Sequence, residues 1–131
     1  LKNALDYLLK VSKRKSVVFI ISDFLDRNYW PSLKVVNRKH DLIGIQLYDP
    51  AETDIPDMGL AKVEDPETGE SFWVDTSSKA ARNRLRKDIQ NRHEKFKKET
   101  RKIGFDLIPV ATNQDFVEPL MSFFKKREKR H

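Results

Sequence analysis

The stretch "VVFIISDFLDRNYWPSLKVVNRKHDLIGIQLYDP", residues 17–50, decides the fold. Val17 to Ile21 is β-branched and aromatic without a polar interruption, the composition of a strand buried on both faces. Asp41 to Tyr48 reads as a second apolar strand. Between them, Asp26-Arg27-Asn28 offers capping side chains, and Pro31 suits the first turn of a helix running to about Lys39. A strand, helix and strand joined in this way form a parallel, right-handed βαβ unit.

Upstream, Leu1 to Ser12 places Leu1, Ala4, Leu5, Leu8 and Leu9 on one helical stripe. Downstream, "AKVEDPETGESFWV" sets two short β-leaning arms around Asp65-Pro66-Glu67-Thr68-Gly69, which predicts a hairpin insertion across about residues 60–75. Thr76, Ser77 or Ser78 can cap a long helix from Lys79 to Ile103, ended by Gly104. Phe105 to Val110 is a third strand, and Pro109 places it at a sheet edge because proline cannot donate to a ladder. Thr112 or Asn113 caps a last helix with Phe116, Val117, Leu120, Met121 and Phe124 as its inner face. This order predicts a three-layer α/β fold with a parallel sheet and flanking helices.

If the strands stack in order away from Pro109, the far edge of Val17–Ile21 is unpaired. A bare apolar edge invites aggregation. The expectation is therefore a fragment lacking further N-terminal strands, or else a homodimer through that edge. An opening Leu1 rather than Met agrees with a piece of a longer chain.

The 131 residues suffice for one hydrophobic core. There is no cysteine, which excludes a disulfide framework and a thiolate metal site. Hydrophobic residues at 38% and charged residues at 35% describe a globular chain with a charged surface. No apolar run approaches the roughly 20 residues that span a bilayer, so a cytoplasmic segment without membrane contact is expected. The net charge of +6 is segregated: Asp49 to Glu70 carries eight carboxylates against one cation, and Lys79 to Lys102 eleven cations against three carboxylates. Arg82, Arg86, Lys97 and Arg101 on that helix could neutralise phosphates or meet a partner, which raises a nucleic-acid-binding alternative. The plainer reading is an amphipathic helix whose inner stripe is Ala81, Leu85, Ile89, Phe96 and Ile103, followed later by a solubilising basic tail, residues 125–131.

Ligands of open parallel sheets bind beyond the carboxyl ends of the strands, and Asp23 and Asp49 both sit at such ends. Hard cations such as Mg²⁺ take oxygen ligands, so Ser22-Asp23 is a plausible part of a cation site, with Asp49 as an accessory. The plainer role of each aspartate is capping or turn formation. A Mg²⁺-dependent phosphoryl hydrolase is a further alternative that needs more convergent acids than these two. Glu52, Asp54 and Asp57 lack the order of a calcium loop and read as a solvated segment. His40, His93 and His131 have no metal-ligand spacing, and His40 suits a helix end where the dipole favours a cation. No glycine cluster cradles a phosphate, and no catalytic arrangement is visible. Trp30 and Trp73 read as packing anchors, Trp73 with an option of surface exposure.

The Ser-Asp strand end, the strand ending "YDP", "DIPDMG", "DPETGE" and "VDTS" occur in an order that resembles the C-terminal half of domain-of-unknown-function family 58, DUF58. The likeness runs from "ALDYLLKVSKRKSVVFIISDFLD" to "FVEPLMSFFKKREKR". The resemblance implies a von Willebrand factor A-like (vWA) domain, a Rossmann-type doubly wound sheet with a metal-ion-dependent adhesion site. In that fold the site combines an Asp-x-Ser-x-Ser loop, a later threonine, and an aspartate after the fourth strand. Ser22-Asp23 matches only the third part; many vWA domains have glycine after that aspartate, where this chain has Phe24. The resemblance therefore implies a partial site, weak or absent Mg²⁺ binding by this segment, and Mg²⁺ or another divalent cation in the intact protein. It also implies a non-catalytic interaction role beside a MoxR-type AAA+ ATPase, in assembly or maturation of protein complexes.

Overall fold

The computed structural model describes residues 1–25, 28–50, 54–66 and 68–130. Five residues read above, Asp26 and Arg27 in the capping segment, Glu52 in the acidic segment, Glu67 in the turn and His131, lie outside the described residues. The chain runs α1 (Lys2–Val11), β1 (Val17–Ser22), α2 (Trp30–Lys39), β2 (Asp41–Tyr48), β3 (Leu60–Glu64), β4 (Ser71–Asp75), α3 (Lys79–Lys102), β5 (Asp106–Ala111) and α4 (Val117–Arg130). β1, β2 and β5 form a parallel three-stranded sheet in that order, while β3 and β4 form a separate antiparallel hairpin. This is a mixed α/β architecture. Pro109 lies on the β5 edge, opposite Gln46, where its missing donor costs no ladder bond.

Each face of the sheet has its own core. On one face, Val18, Ile20 and Leu42 pack with Leu5 of α1, Leu33 and Val36 of α2, and the rings of Phe24 and Phe105. Burying each such side chain is worth about 1.5–3 kcal/mol, so this cluster dominates the stability. Gly44 admits it: a Cβ there would stand 2.3 Å from Phe105 Cζ and 3.1 Å from Phe24 Cζ. On the other face, Ile43, Ile108 and Val110 meet Leu120 and Phe123 of α4.

Several expectations are corrected here. β1 is not buried on both faces: Val17, Phe19 and Ile21 are 59%, 48% and 66% exposed, because α4 lies over β2 and β5 and reaches β1 only where Phe124 meets Phe19. The inner face of α4 is likewise displaced. Leu120 and Phe123 reach the core, while Phe116, Val117 and Met121 are exposed. Neither Thr112 nor Asn113 caps that helix; Asp115 Oδ1 accepts from the Val117 N–H at 3.0 Å. Asn28 does not cap α2 either, since the helix starts after Tyr29 without a side-chain cap and Asn28 sits at φ 64°.

The basic tail is the last part of α4. Arg127 there pairs with Asp41 and, at 3.3 Å, with Asp106, joining the starts of β2 and β5 while its guanidinium lies over the Phe123 ring. His40 is buried and its Nδ1 accepts from the Ser16 N–H at 3.1 Å. His40 stands at the end of α2 as read, and its ring ties that end to the residue before β1.

The hairpin is held at its base by a buried threonine. Thr76 Oγ1 accepts from the Met58 N–H at 2.8 Å and donates to the Gly59 carbonyl. Ser78 caps α3 by accepting from the Ala81 N–H at 3.3 Å, and Gly104 at φ 68° ends it. Among the described residues no helix is long and apolar enough to cross a membrane.

Candidate functional site

The carboxyl end of β1 is shaped by two consecutive side-chain-to-backbone turns. Ser22 Oγ accepts from the Phe24 N–H at 3.0 Å, and Asp23 Oδ1 accepts from the Leu25 N–H at 3.1 Å. These bonds fold the chain sharply after the strand. The turn needs a left-handed residue, and Phe24 supplies it at φ 56°. For a residue with a Cβ this conformation costs about 1–2 kcal/mol. The ring offsets that cost. Only 6% exposed, it packs against Tyr29, Phe96 and Phe105 with centroids 6.2, 5.3 and 6.0 Å away. Tyr29 closes the loop by donating its hydroxyl to the Phe24 carbonyl at 3.2 Å. Phe24 thus keeps a glycine-like backbone and adds a core anchor.

Asp23 is exposed at the mouth of a groove of about 1080 Å³. Tyr29 and Trp30 of the loop and helix, Gln46 of β2, Glu64 of the hairpin and Arg92, His93 and Phe96 of α3 line it with Asp23. Trp30 stacks on Tyr29 at 5.3 Å and leans on Phe96 at 5.8 Å, which gives the groove an aromatic wall. Charges of both signs face it, so it suits a polar partner with acceptors and donors rather than a polyanion.

The residues expected from the sequence are distributed unevenly around this groove. Asp23 stands at its edge, and Ser22 precedes it in the same turn without lining the groove. Asp49 does not line it either, because Ser22 pairs with Gln46 and β2 runs past the end of β1; the polar side chain beside the Ser22-Asp23 corner is the buried Gln46. A lone glutamine within the apolar run "DLIGIQLY" was the available signal. The four cations read on α3 do not line the groove. Arg82 donates to the Thr76 carbonyl and Arg86 to Asn83 Oδ1 at 3.3 Å, both half-buried by the hairpin end of the helix. Lys97 lies 4.0 Å from Glu94, and Arg101 is exposed a turn further on. Trp30 is a packing anchor as read, whereas Trp73 is 64% exposed on β4.

A magnesium ion takes about six oxygen ligands. Ser22 and Asp23 offer a hydroxyl and a carboxylate, and the described residues contain no group of three acidic or histidine side chains able to hold a metal. These two residues alone do not fit a bound Mg²⁺.

The fold and this corner define an α/β chain whose polar groove opens at the carboxyl edge of a parallel sheet. The model of the family described as "Protein of unknown function DUF58" matches residues 1–95, and the chain belongs to that family. An uncharacterised protein of Mycobacterium avium is 26% identical over 132 residues, covering 98% of this chain and 76% of its own length. Uncharacterised proteins of Mycobacterium bovis and Mycobacterium tuberculosis are 26% identical over 129 residues, which is 96% of this chain but 40% of theirs. The chain thus spans about three quarters of one relative and two fifths of the others. No solved structure matches it.

Proposed function

We propose that this chain forms part of a vWA-like domain that works as a non-catalytic protein–protein interaction module, through a metal-assisted surface at the carboxyl edge of the sheet. The observation that carries the reading is the Ser22-Asp23 corner: an exposed carboxylate and a hydroxyl, presented by a turn locked into the core, at the mouth of a mixed-charge groove. A divalent cation held there with an open position would accept a carboxylate from the partner. Its remaining oxygen ligands would have to come from outside Ser22 and Asp23. The partner in this reading is a MoxR-type AAA+ ATPase, which supplies the energy for assembling or maturing a protein complex in the cytoplasm.

Calorimetry tests both halves of the proposal. The chain alone should show no micromolar Mg²⁺ affinity, and such affinity would sink the partial-site reading. The intact protein should bind the ATPase in Mg²⁺, lose that binding in EDTA, and lose it in Asp23→Ala. Binding that survives both EDTA and the substitution would remove the metal from the mechanism.

A further inference from the structure

The helices that lead into β1, β2 and β5 all end at the amino edge of the parallel sheet, and that edge is basic. Lys13, Arg14 and Lys15 fill the turn before β1, and all three are exposed. α2 ends in Arg38 and Lys39, and α3 in Arg101 and Lys102, again exposed. α4 returns to the same edge, because Arg127 pairs with Asp41 and Asp106 at the starts of β2 and β5. The exposed Lys126 and Lys129 flank that anchor. Carboxylates are fewer here: Asp41 and Asp106 are held by Arg127, Glu99 faces Lys102 at 3.4 Å, and Glu128 sits between the lysines of α4. A helix dipole accounts for cations in a last helical turn. It does not account for residues 13–15, which lie beyond α1.

The shape of the edge selects among anionic partners. Its connections are short: residues 12–16 join α1 to β1, His40 joins α2 to β2, and residues 103–105 join α3 to β5. None of these turns projects as the helix or two-stranded ribbon that enters a nucleic-acid groove. The rings within them, His40 and Phe105, are both buried, which leaves no platform for a base to stack on. Most of the exposed cations are lysines, point charges that suit a diffuse field of acidic groups better than bidentate base reading. From this blunt, lysine-rich edge we infer that the chain docks on an anionic membrane surface, its cations meeting the phosphate and carboxylate oxygens of acidic lipid headgroups. Lack of an apolar span, which argued against membrane contact in the sequence, does not bear on a peripheral contact of this kind. The Ser22-Asp23 corner lies at the opposite end of β1 and faces away from the bilayer in this arrangement.

Co-sedimentation of the 131-residue chain with lipid vesicles tests this. The chain should bind vesicles containing about one-third phosphatidylserine and ignore pure phosphatidylcholine. It should be released in about 1 M salt, where the screening length falls to about 3 Å. Lys13→Glu, Lys15→Glu and Lys39→Glu combined should weaken binding roughly a hundredfold. A matched control combines Lys79→Glu, Arg84→Glu and Lys87→Glu, the same change in net charge placed about 20 Å or more back along α3. It should weaken binding about threefold at most, because screening confines the effect of distant charges. All six positions are exposed, so both variants should keep a native circular dichroism spectrum. No binding to the acidic vesicles, indifference to the first set, or equal losses from both sets would each overturn the proposal. Retention on a DNA duplex without vesicle binding would overturn it as well and give the edge to nucleic acid.

Discussion

The two faces of the three-stranded sheet are built from the same strands, yet they are covered very differently. One carries α1 and α2 and is sealed by Phe24 and Phe105, so that Leu33 and Val36 are fully buried. Among the described residues the other carries α4 alone, which shields Ile43, Ile108 and Val110 and leaves most of the β1 row in solvent. The lesson is that stability and exposed apolar surface have been separated. The first face anchors the groove loop through Phe24, and the second leaves an apolar row exposed.

Substitution at Phe24 tests this division most severely. Phe24→Gly relieves the left-handed strain of about 1–2 kcal/mol but deletes a buried ring whose loss typically costs about 3–5 kcal/mol. A net destabilisation of about 2–3 kcal/mol in urea unfolding is therefore expected. An unchanged or raised midpoint would mean that the ring is not the anchor described here.

Phe123→Ala probes the opposite face. Phe123 is only partly buried, and a loss of about 1–2 kcal/mol is expected, smaller than at Phe24. A larger loss than at Phe24 would reverse the ranking of the two faces.

The smallest effect belongs to the rim of the first face. Asp6 accepts from Ser32 Oγ at 2.6 Å and from Lys2 Nζ at 2.7 Å, tying α1 to α2. The bond from Lys2, and then that from Ser32, hold its carboxyl below the usual range. A depressed carboxylate contributes stability above its unfolded value, near about pH 4, and loses it as the pH falls through the lower folded value. Asp6→Asn should therefore unfold slightly earlier than the parent chain at pH 7, with the difference closing in acid below about pH 4. A gap that stays constant across this window would show that the charge contributes nothing.

Much of the first face was legible in the residues. The βαβ unit, the hairpin, a cap for α3 within Thr76–Ser78, Gly104 and the edge role of Pro109 all rest on local chemistry, and local chemistry is what a single sequence displays. The second face was not. When every residue from Val17 to Ile21 is apolar, alternation cannot be seen, and exposure depends on how far α4 reaches. At the start of α4, apolar residues at 116, just before the helix, and at 117, 120, 121, 123 and 124 draw two overlapping stripes, and tertiary packing chose Leu120 with Phe123. Arg127 looked like a solvated tail because its two carboxylate partners come from strands 86 and 21 residues away in sequence. For the site, Ser22-Asp23 was readable as a strand-end pair, whereas the contributions of Gln46, Arg92 and His93 depend on strand register and on the way α3 crosses the sheet.

The loop at Phe24 has a thermodynamic consequence for any ligand search. Asp23 and the main hydrophobic cluster are adjacent residues of one turn, so occupancy of the groove and global unfolding are linked equilibria. A compound that binds the native chain alone at one hundred times its dissociation constant adds about 2.7 kcal/mol to the unfolding free energy. The melting temperature can thus serve as the assay for occupancy of the groove.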